Sequence, residues 1–347
     1  MSVLRVGIVG FGWFGHIHLD AWRQVGDVEV SAICDADQRA VQPKLAFAQD
    51  GFHVQQGEAA RELGDVPFFS NLEAFLADAP CDLIDIVVPE ALHADVAAAA
   101  LEAGKSVIVE KPFTTCAEDA RRLLELSEIH DRRVFPANIL RFDSRYLHAI
   151  GDLLRDQAPP RHISCQRHFQ RSALEVYGRV HPFFGACVHD IDLAIWAHGS
   201  PPRRAFASVT RSGEDARIEA VAGILKWEDG STAVIQNAWL VGAGASGGFL
   251  FDSTFFGQAQ TLTIRNQPIV EVIGDKAVTW PELFFWPTIA DRRGGALVEE
   301  LRHFAECERR GKPSDRVPLD QACWGISAAD ALVASAECSA WVDVAPL

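Results

Sequence analysis

Six residues near the start of the chain constrain its fold more than anything else in it. Gly10-Phe11-Gly12-Trp13-Phe14-Gly15 is a G-x-G-x-x-G string between a β-type apolar run, Leu4 to Val9, and a segment with Ile17, Ala21 and Val25 at i, i+4, i+8 spacing. That order predicts strand, tight turn and helix. Gly26 stands where a helix C-cap glycine belongs, and Val28 to Cys34 reads as the next strand, ending at Asp35. Glycines in this setting let the backbone turn sharply and approach a diphosphate, whose charge is met by the free N–H groups and positive end of the helix. A carboxylate at Asp35 would accept hydrogen bonds from ribose hydroxyls and repel a 2′-phosphate, which favours NAD. Arg39, able to stack on adenine or pair with a 2′-phosphate, keeps NADP open. The competing reading is a glycine turn in an α/β domain that holds nothing.

The same alternation continues downstream. Ser70-Asn71-Leu72-Glu73 has the S-x-x-E form of a capping box, and Leu83 to Val88 is almost uniformly apolar, as a strand covered on both faces should be. An alanine-rich helix from about Leu92 to Ala103 closes at Gly104, and Val107 to Val109 makes another strand. Repeated β-α units predict a doubly wound parallel sheet, with one more strand possible at Val134. The expected division is a Rossmann domain over residues 1–122 and a C-terminal α/β domain over residues 123–347.

Beyond residue 150 the texture changes to strands without intervening helices: His162 to Gln170, Ala205 to Thr210, Ile218 to Trp227, Ser231 to Trp239, Phe249 to Phe256 and Thr261 to Ile264. Asp229-Gly230 between two of these runs predicts a two-residue hairpin, so the second sheet should be large, open and mostly antiparallel. Helices are expected at Val188 to Ala197, Leu297 to Arg309 and Ala322 to Cys338, and Gly242 to Gly248 reads as a loop. An open sheet should not leave a broad apolar face in water, which predicts a homodimer or homotetramer built on it.

Composition removes several classes of function. The 347 residues carry a net charge of −15, which repels nucleic-acid phosphates and anionic lipid. No apolar run approaches the roughly 20 residues that span a bilayer, and no signal peptide is expected. Eight cysteines lie singly, with no C-x-x-C pair, as reduced thiols of a cytoplasmic protein do. His16 and His18 invite a metal reading, but residues two apart point to different sides of a helix, so no metal is expected and a packed or surface pair is favoured.

Taken together, Gly7 to Gly15, Val88-Pro89 with His93, Gly104-Lys105, Glu110-Lys111-Pro112, Asn138 with Arg141-Phe142, and His189 with Asp192 and Trp196 resemble the Gfo/Idh/MocA family of glucose-fructose oxidoreductases and inositol dehydrogenases. The likeness covers essentially the whole chain, and Glu299 to Phe304 with Ser327 to Cys338 are similar to that family's closing helices. It implies an NAD(P)-dependent oxidoreductase that moves a hydride between nicotinamide and a carbinol or carbonyl carbon of a sugar, sugar derivative or cyclitol. Gly10, Gly12, Trp13, Phe14, Gly15, Asp35, Arg39, Pro89, His93, Glu110, Lys111 and Asn138 are the expected cofactor contacts. Lys111, His189 and Asp192 are the expected catalytic set, joined by Arg167 and Tyr177 in binding substrate. The chemistry is apt: alcohol oxidation needs a base at the O–H, and a lysine at the carboxyl end of a parallel strand projects into the crevice and steadies an alkoxide. Asp192, three residues after His189, shares its helical face; its rival role is a charge favouring the helix dipole. For Lys111 the bland alternative is a solvated strand-end charge, and for His189 a hydrogen-bonded core histidine.

At one position the chain departs from the family pattern. Members commonly carry an aspartate four residues before the histidine, and this chain has Gly185 there. Asp190 is rotated by about 100° from His189 on a helix and is no substitute. Either Tyr177, His181, Arg167 or a residue of Phe249 to Phe256 supplies the missing contact, or hydride transfer is weak. The departure keeps two other readings open: a non-catalytic dinucleotide- and sugar-binding regulator, and an NAD-assisted glycosidase or eliminase.

Overall fold

The computed structural model describes residues 3–37, 65–155, 157–213, 216–242, 249–265, 270–275, 278–279, 281 and 283–347. Strand β1 (Leu4–Val9) leads into helix α1 (Trp13–Trp22) and β2 (Val28–Cys34). Then come β3 (Phe68–Phe69), α2 (Leu72–Asp78), β4 (Leu83–Ile86), α3 (His93–Glu102), β5 (Ser106–Glu110), α4 (Ala117–Ile129) and β6 (Val134–Ala137). The six strands form one parallel sheet in the order β3-β2-β1-β4-β5-β6, the doubly wound order of dinucleotide-binding domains. Every residue of β4, β5 and β6 is buried, because helices cover both faces; hence the largely apolar runs, interrupted by Asp85, Ser106 and Glu110. The sheet thus extends through Ala137, past the boundary at residue 122 that the alternation suggests.

A short helix α5 (Ser144–Tyr146) leads to the second half of the chain. There β7 (His162–Gln170), α6 (Arg171–Tyr177), α7 (Pro182–Gly185) and α8 (Val188–His198) precede β8 (Arg204–Ser212), β9 (Arg217–Lys226), β10 (Thr232–Val241), β11 (Phe249–Phe256) and β12 (Thr261–Arg265). Two short hairpins follow, β13 (Val272–Ile273) with β14 (Val278–Thr279) and β15 (Thr288–Ile289) with β16 (Arg292–Arg293). Helices α9 (Ala296–Arg310) and α10 (Leu319–Cys338) and the strand β17 (Val342–Asp343) end the chain. The second sheet runs β12-β11-β7-β10-β9-β8-β17, antiparallel throughout except for the central β7–β10 pair. Along β7, β9, β10 and β11 the odd-numbered residues, apart from Arg217 and Val241 at strand ends, are buried while the even-numbered ones lie half-buried or exposed on the other face. Helices α9 and α10 tie the halves together, α9 packing on α1 and α10 on α4, α8 and β8.

Three local expectations are corrected. The N-cap of α2 is Asn71, whose side chain accepts from the Ala74 N–H, so Ser70 opens no capping box. Helix α1 ends at Trp22 and the left-handed residue after it is Asp27 (φ 57°), so Gly26 is not its C-cap. The β9–β10 connection is not a two-residue turn: Trp227 and Ser231 pair across Glu228-Asp229-Gly230, with Gly230 at φ 86° as the residue that reverses the chain. All eight cysteines are free thiols. No helix among the described residues is long and apolar enough to cross a membrane.

Candidate functional site

The glycine turn after β1 is built for a close approach. Gly10 has φ 95°, and a Cβ there would lie 2.6 Å from the Val87 carbonyl, so only glycine lets the turn rest against the end of β4. A Cβ on Gly15 would sit 2.4 Å from the Gly10 oxygen, which presses the first turn of α1 onto the loop. Around Gly12, the N-cap of α1, nothing among the described residues lies within 4 Å of where a Cβ would stand, and Gly12 has no side chain to cap the helix. The first N–H groups of α1 lie at the positive end of the helix beside this space, and a diphosphate fits the cradle. Asp35 lies at its rim, accepting from the Phe11 N–H at 2.6 Å and the Asp37 N–H at 2.8 Å. Trp13 and Phe14 stack on each other at 5.6 Å and meet Trp286 at 6.3 and 5.2 Å. Arg39 falls outside the described residues.

The ends of β4, β5 and β6 supply the next layer. Pro89 leads a single turn of helix, Glu90–Leu92, that starts α3. His93 is buried with its ring between two backbone carbonyls, Pro112 O at 2.7 Å and Val88 O at 2.9 Å. It fastens the β4 and β5 loops together, and both of its nitrogens are spent on that. Glu110 is buried and accepts from the Lys111 N–H at 3.0 Å. Lys111 is half-buried. Burial pushes its ammonium below the ordinary lysine range, Glu110 and Glu90 oppose that shift, and Arg167 and Arg179 reinforce it.

Helix α8 brings His189 to the same place. Its pKa is driven well below the usual histidine value, first by burial and then by the positive charges of Lys111 and Arg167. This electrostatic coupling to Lys111 and Arg167 favours the neutral imidazole. Asp192 does not share in it as the helical spacing suggests. Its carboxylate is buried and held by Arg141, with Nη2 at 2.7 Å, and by the Asn138 amide at 2.8 Å. Asn138 is committed to that bond, and Arg141 also donates to Arg316 O and Gln321 Oε1, both at 2.8 Å, so this cluster joins the domains. Arg167 is likewise occupied, paired to both oxygens of Asp190 at 3.0 Å. His181 caps α7, its ring accepting from the Phe183 N–H at 3.3 Å. The side chain of Tyr177 lies outside the described set. Sequence reasoning missed two things: the Arg167–Asp190 pair, whose partners are 23 residues apart, and the burial of His18 among acidic residues. Nothing local signals either. Among the described residues no group of three His, Cys, Asp or Glu is arranged to hold a metal ion.

Residues 4–138 match the model of an oxidoreductase family with an NAD-binding Rossmann fold, GFO_IDH_MocA. Over that stretch the chain is similar to the Gfo/Idh/MocA family. Inositol 2-dehydrogenase 1 of Saccharopolyspora erythraea is 31% identical to this chain over 223 residues, 61% of this chain and 60% of that one. The matched region thus spans little more than half of that relative. D-apiose dehydrogenase of Paraburkholderia graminis is 24% identical over 88% of this chain and 80% of its own length. Among solved structures, the scyllo-inositol dehydrogenase of Lactobacillus casei with bound NAD(H) and scyllo-inositol shares the fold at a TM-score of 0.75 and 19% identity, covering 99% of both chains. Residues 4–138 match an NAD-binding Rossmann fold, and the glycine cradle lies at its first strand-to-helix turn.

Proposed function

We propose that the chain is an NAD-dependent dehydrogenase that moves a hydride between nicotinamide and a carbinol carbon of a cyclitol or sugar. The observation that carries this reading is the glycine cradle that fits a diphosphate at the carboxyl end of a parallel sheet, and the electrostatic coupling of a neutral His189 to Lys111 supports it. NAD, when bound, supplies the hydride acceptor. His189 then takes the hydroxyl proton on a ring nitrogen as charge develops on the alcohol oxygen, and the Lys111 ammonium steadies that oxygen. In the reverse direction a protonated His189 is a strong acid for the carbonyl oxygen, because its proton is held loosely. Arg167 contributes field rather than contact, since Asp190 occupies its fork. The chain offers Gly185 where a carboxylate is usual, so substrate hydroxyls on that side must find another partner.

The test is absorbance at the reduced-nicotinamide band with a panel of inositols, pentoses and hexoses, alongside dinucleotide titration. Lys111→Ala should abolish turnover while NAD still binds. A protein that binds NAD and turns over none of the panel is no such dehydrogenase. The even-numbered face of the second sheet is proposed as the contact between copies of the chain, and the cytoplasm as its compartment.

A further inference from the structure

Behind Lys111, on the side away from the proposed substrate, four elements converge on one buried imidazole. His18 of α1 has its Nδ1 2.8 Å from Asp85 Oδ2 on β4 and its Nε2 3.4 Å from Glu110 Oε1 on β5. The same Asp85 oxygen accepts from Trp22 Nε1 at 2.7 Å, which fixes the carboxylate that fixes the ring. The other oxygen of Glu110 accepts the Lys111 N–H. Glu300 of α9 closes the cluster with neither oxygen hydrogen-bonded, and His18, Asp85 and Glu300 are fully buried. So much polarity in a dry core is costly unless it has a task, and an apolar residue at 18 would pack as well.

Resting on the dehydrogenase reading above, we infer that His18 is a positioning residue for hydride transfer: bridging Asp85 and Glu110, it clamps the Glu110 carboxylate beneath the Lys111 peptide and so holds the Lys111 ammonium at the reacting oxygen. Four observations agree with this. The His18 ring joins a carboxylate with no route to the site, Asp85, to one that touches the residue adjacent to the chemistry. Acidic neighbours hold His18 protonated against its burial, with a pKa raised to about 10, so both ring nitrogens carry a proton, Nδ1 hydrogen-bonded to Asp85 and Nε2 facing Glu110 at ion-pair distance. Glu110 is the largest charged influence on Lys111, where Glu90, Arg167 and Arg179 also act, so the place of its carboxylate sets the ammonium's charge as well as its position. Glu300, kept protonated by burial beside Glu110 and Asp85, adds no competing charge to the cluster.

Two substitutions separate this role from simple packing. In His18→Gln the amide reaches as Nε2 does and still donates to Glu110; in His18→Asn it reaches only as Nδ1 does, toward Asp85. We expect His18→Asn to lose about ten- to a hundredfold in kcat, with NAD affinity and polyol KM nearly unchanged, and His18→Gln to recover most of that loss. A structural role would instead cost both variants thermal stability and leave kcat alike in the folded fraction. A second readout needs no turnover: the Lys111 titration followed by NMR of 13C-methylated lysines, its signal assigned by its absence in Lys111→Arg. Its midpoint should fall in His18→Asn, as the carboxylate swings away or takes up a proton, and should return in His18→Gln. Should the wild type oxidise no polyol while this midpoint moves as described, the dehydrogenase reading fails and the clamp stands. If the midpoint stays put in both folded variants, or both keep wild-type kcat, the clamp is refuted.

Discussion

At the scale of single residues, the electrostatics of the site make two pH predictions of definite sign. The pKa of the half-buried His189 is lowered well below the usual 6.5, first by desolvation and then because Lys111 and Arg167 repel a proton from it. As the base it must be unprotonated, so kcat/KM for alcohol oxidation should stay flat through the ordinary histidine range and fall only at more acid pH. Removing one repelling charge raises the imidazole's affinity for a proton. In Lys111→Met the residual activity should therefore show its acid limb at higher pH than the wild type; a limb that does not move would mean that the two groups do not share a site. The second prediction concerns Glu300, whose burial and acidic neighbours raise its pKa well above the usual 4.5. Below pH 4.5 both folded and unfolded chains hold its proton, and above it only the folded one does. Its contribution to stability is thus intact in acid and is lost as pH rises, at up to about 1.4 kcal/mol per pH unit until the folded group itself ionises. Glu300→Gln has no proton to lose, so urea unfolding should show it more stable than the wild type at pH 7 and equal to it near pH 4.

Between elements, the buried Arg141–Asp192 pair is the most exacting junction in the chain. It ties the turn after β6 to α8, with Gln321 of α10 as a third member. Asp192→Ala leaves a guanidinium buried without its counter-charge, which costs about 3–5 kcal/mol, whereas Arg141→Met with Asp192→Leu replaces both charges and should regain most of it. Thermal unfolding of the two variants decides the matter, and equal losses would show that the pair serves something beyond mutual neutralisation. This junction also marks where the sequence stops being legible. Elements were readable because their signals are local: an alternating pattern bounds β7 and β11, and glycines after an apolar strand announce the cradle. The helical offset of Asp190 from His189 was readable too, and it duly points to Arg167 instead. What Asp192 would meet was not, since its partners lie 51 and 54 residues away and its spacing from His189 suited a catalytic role equally well. His18 failed for the same reason, its carboxylates coming from β4 and β5. Turn details failed because Asp229-Gly230 suits a two-residue or a three-residue reversal, and the choice depends on the pairing of Trp227 with Ser231.

For the whole molecule, the open question in the architecture is the uncovered face of the second sheet. Helices α8 and α10 bury one side of it. On the other, the even-numbered rows carry Leu240 at 46%, Leu250 at 52% and Phe256 at 41% exposure, among half-buried Val234, Ala238 and Ile224. These apolar side chains stand among polar ones such as Gln166, Gln236 and Thr254, a mixture that suits a second copy applied through a two-fold axis. Because such contacts are self-complementary, one substitution acts twice in a dimer. Leu250→Arg places two guanidinium groups in the contact with no carboxylate that the monomer lacks, so a dimer should dissociate while each subunit keeps its fold, since Leu250 packs nothing beneath the sheet. Sedimentation equilibrium of the wild type should then return a multiple of 38.0 kDa, and the variant a single subunit with an unchanged circular dichroism spectrum. A wild-type chain that sediments as one subunit at tens of micromolar would leave this face without a partner of its own kind and remove the argument for self-association.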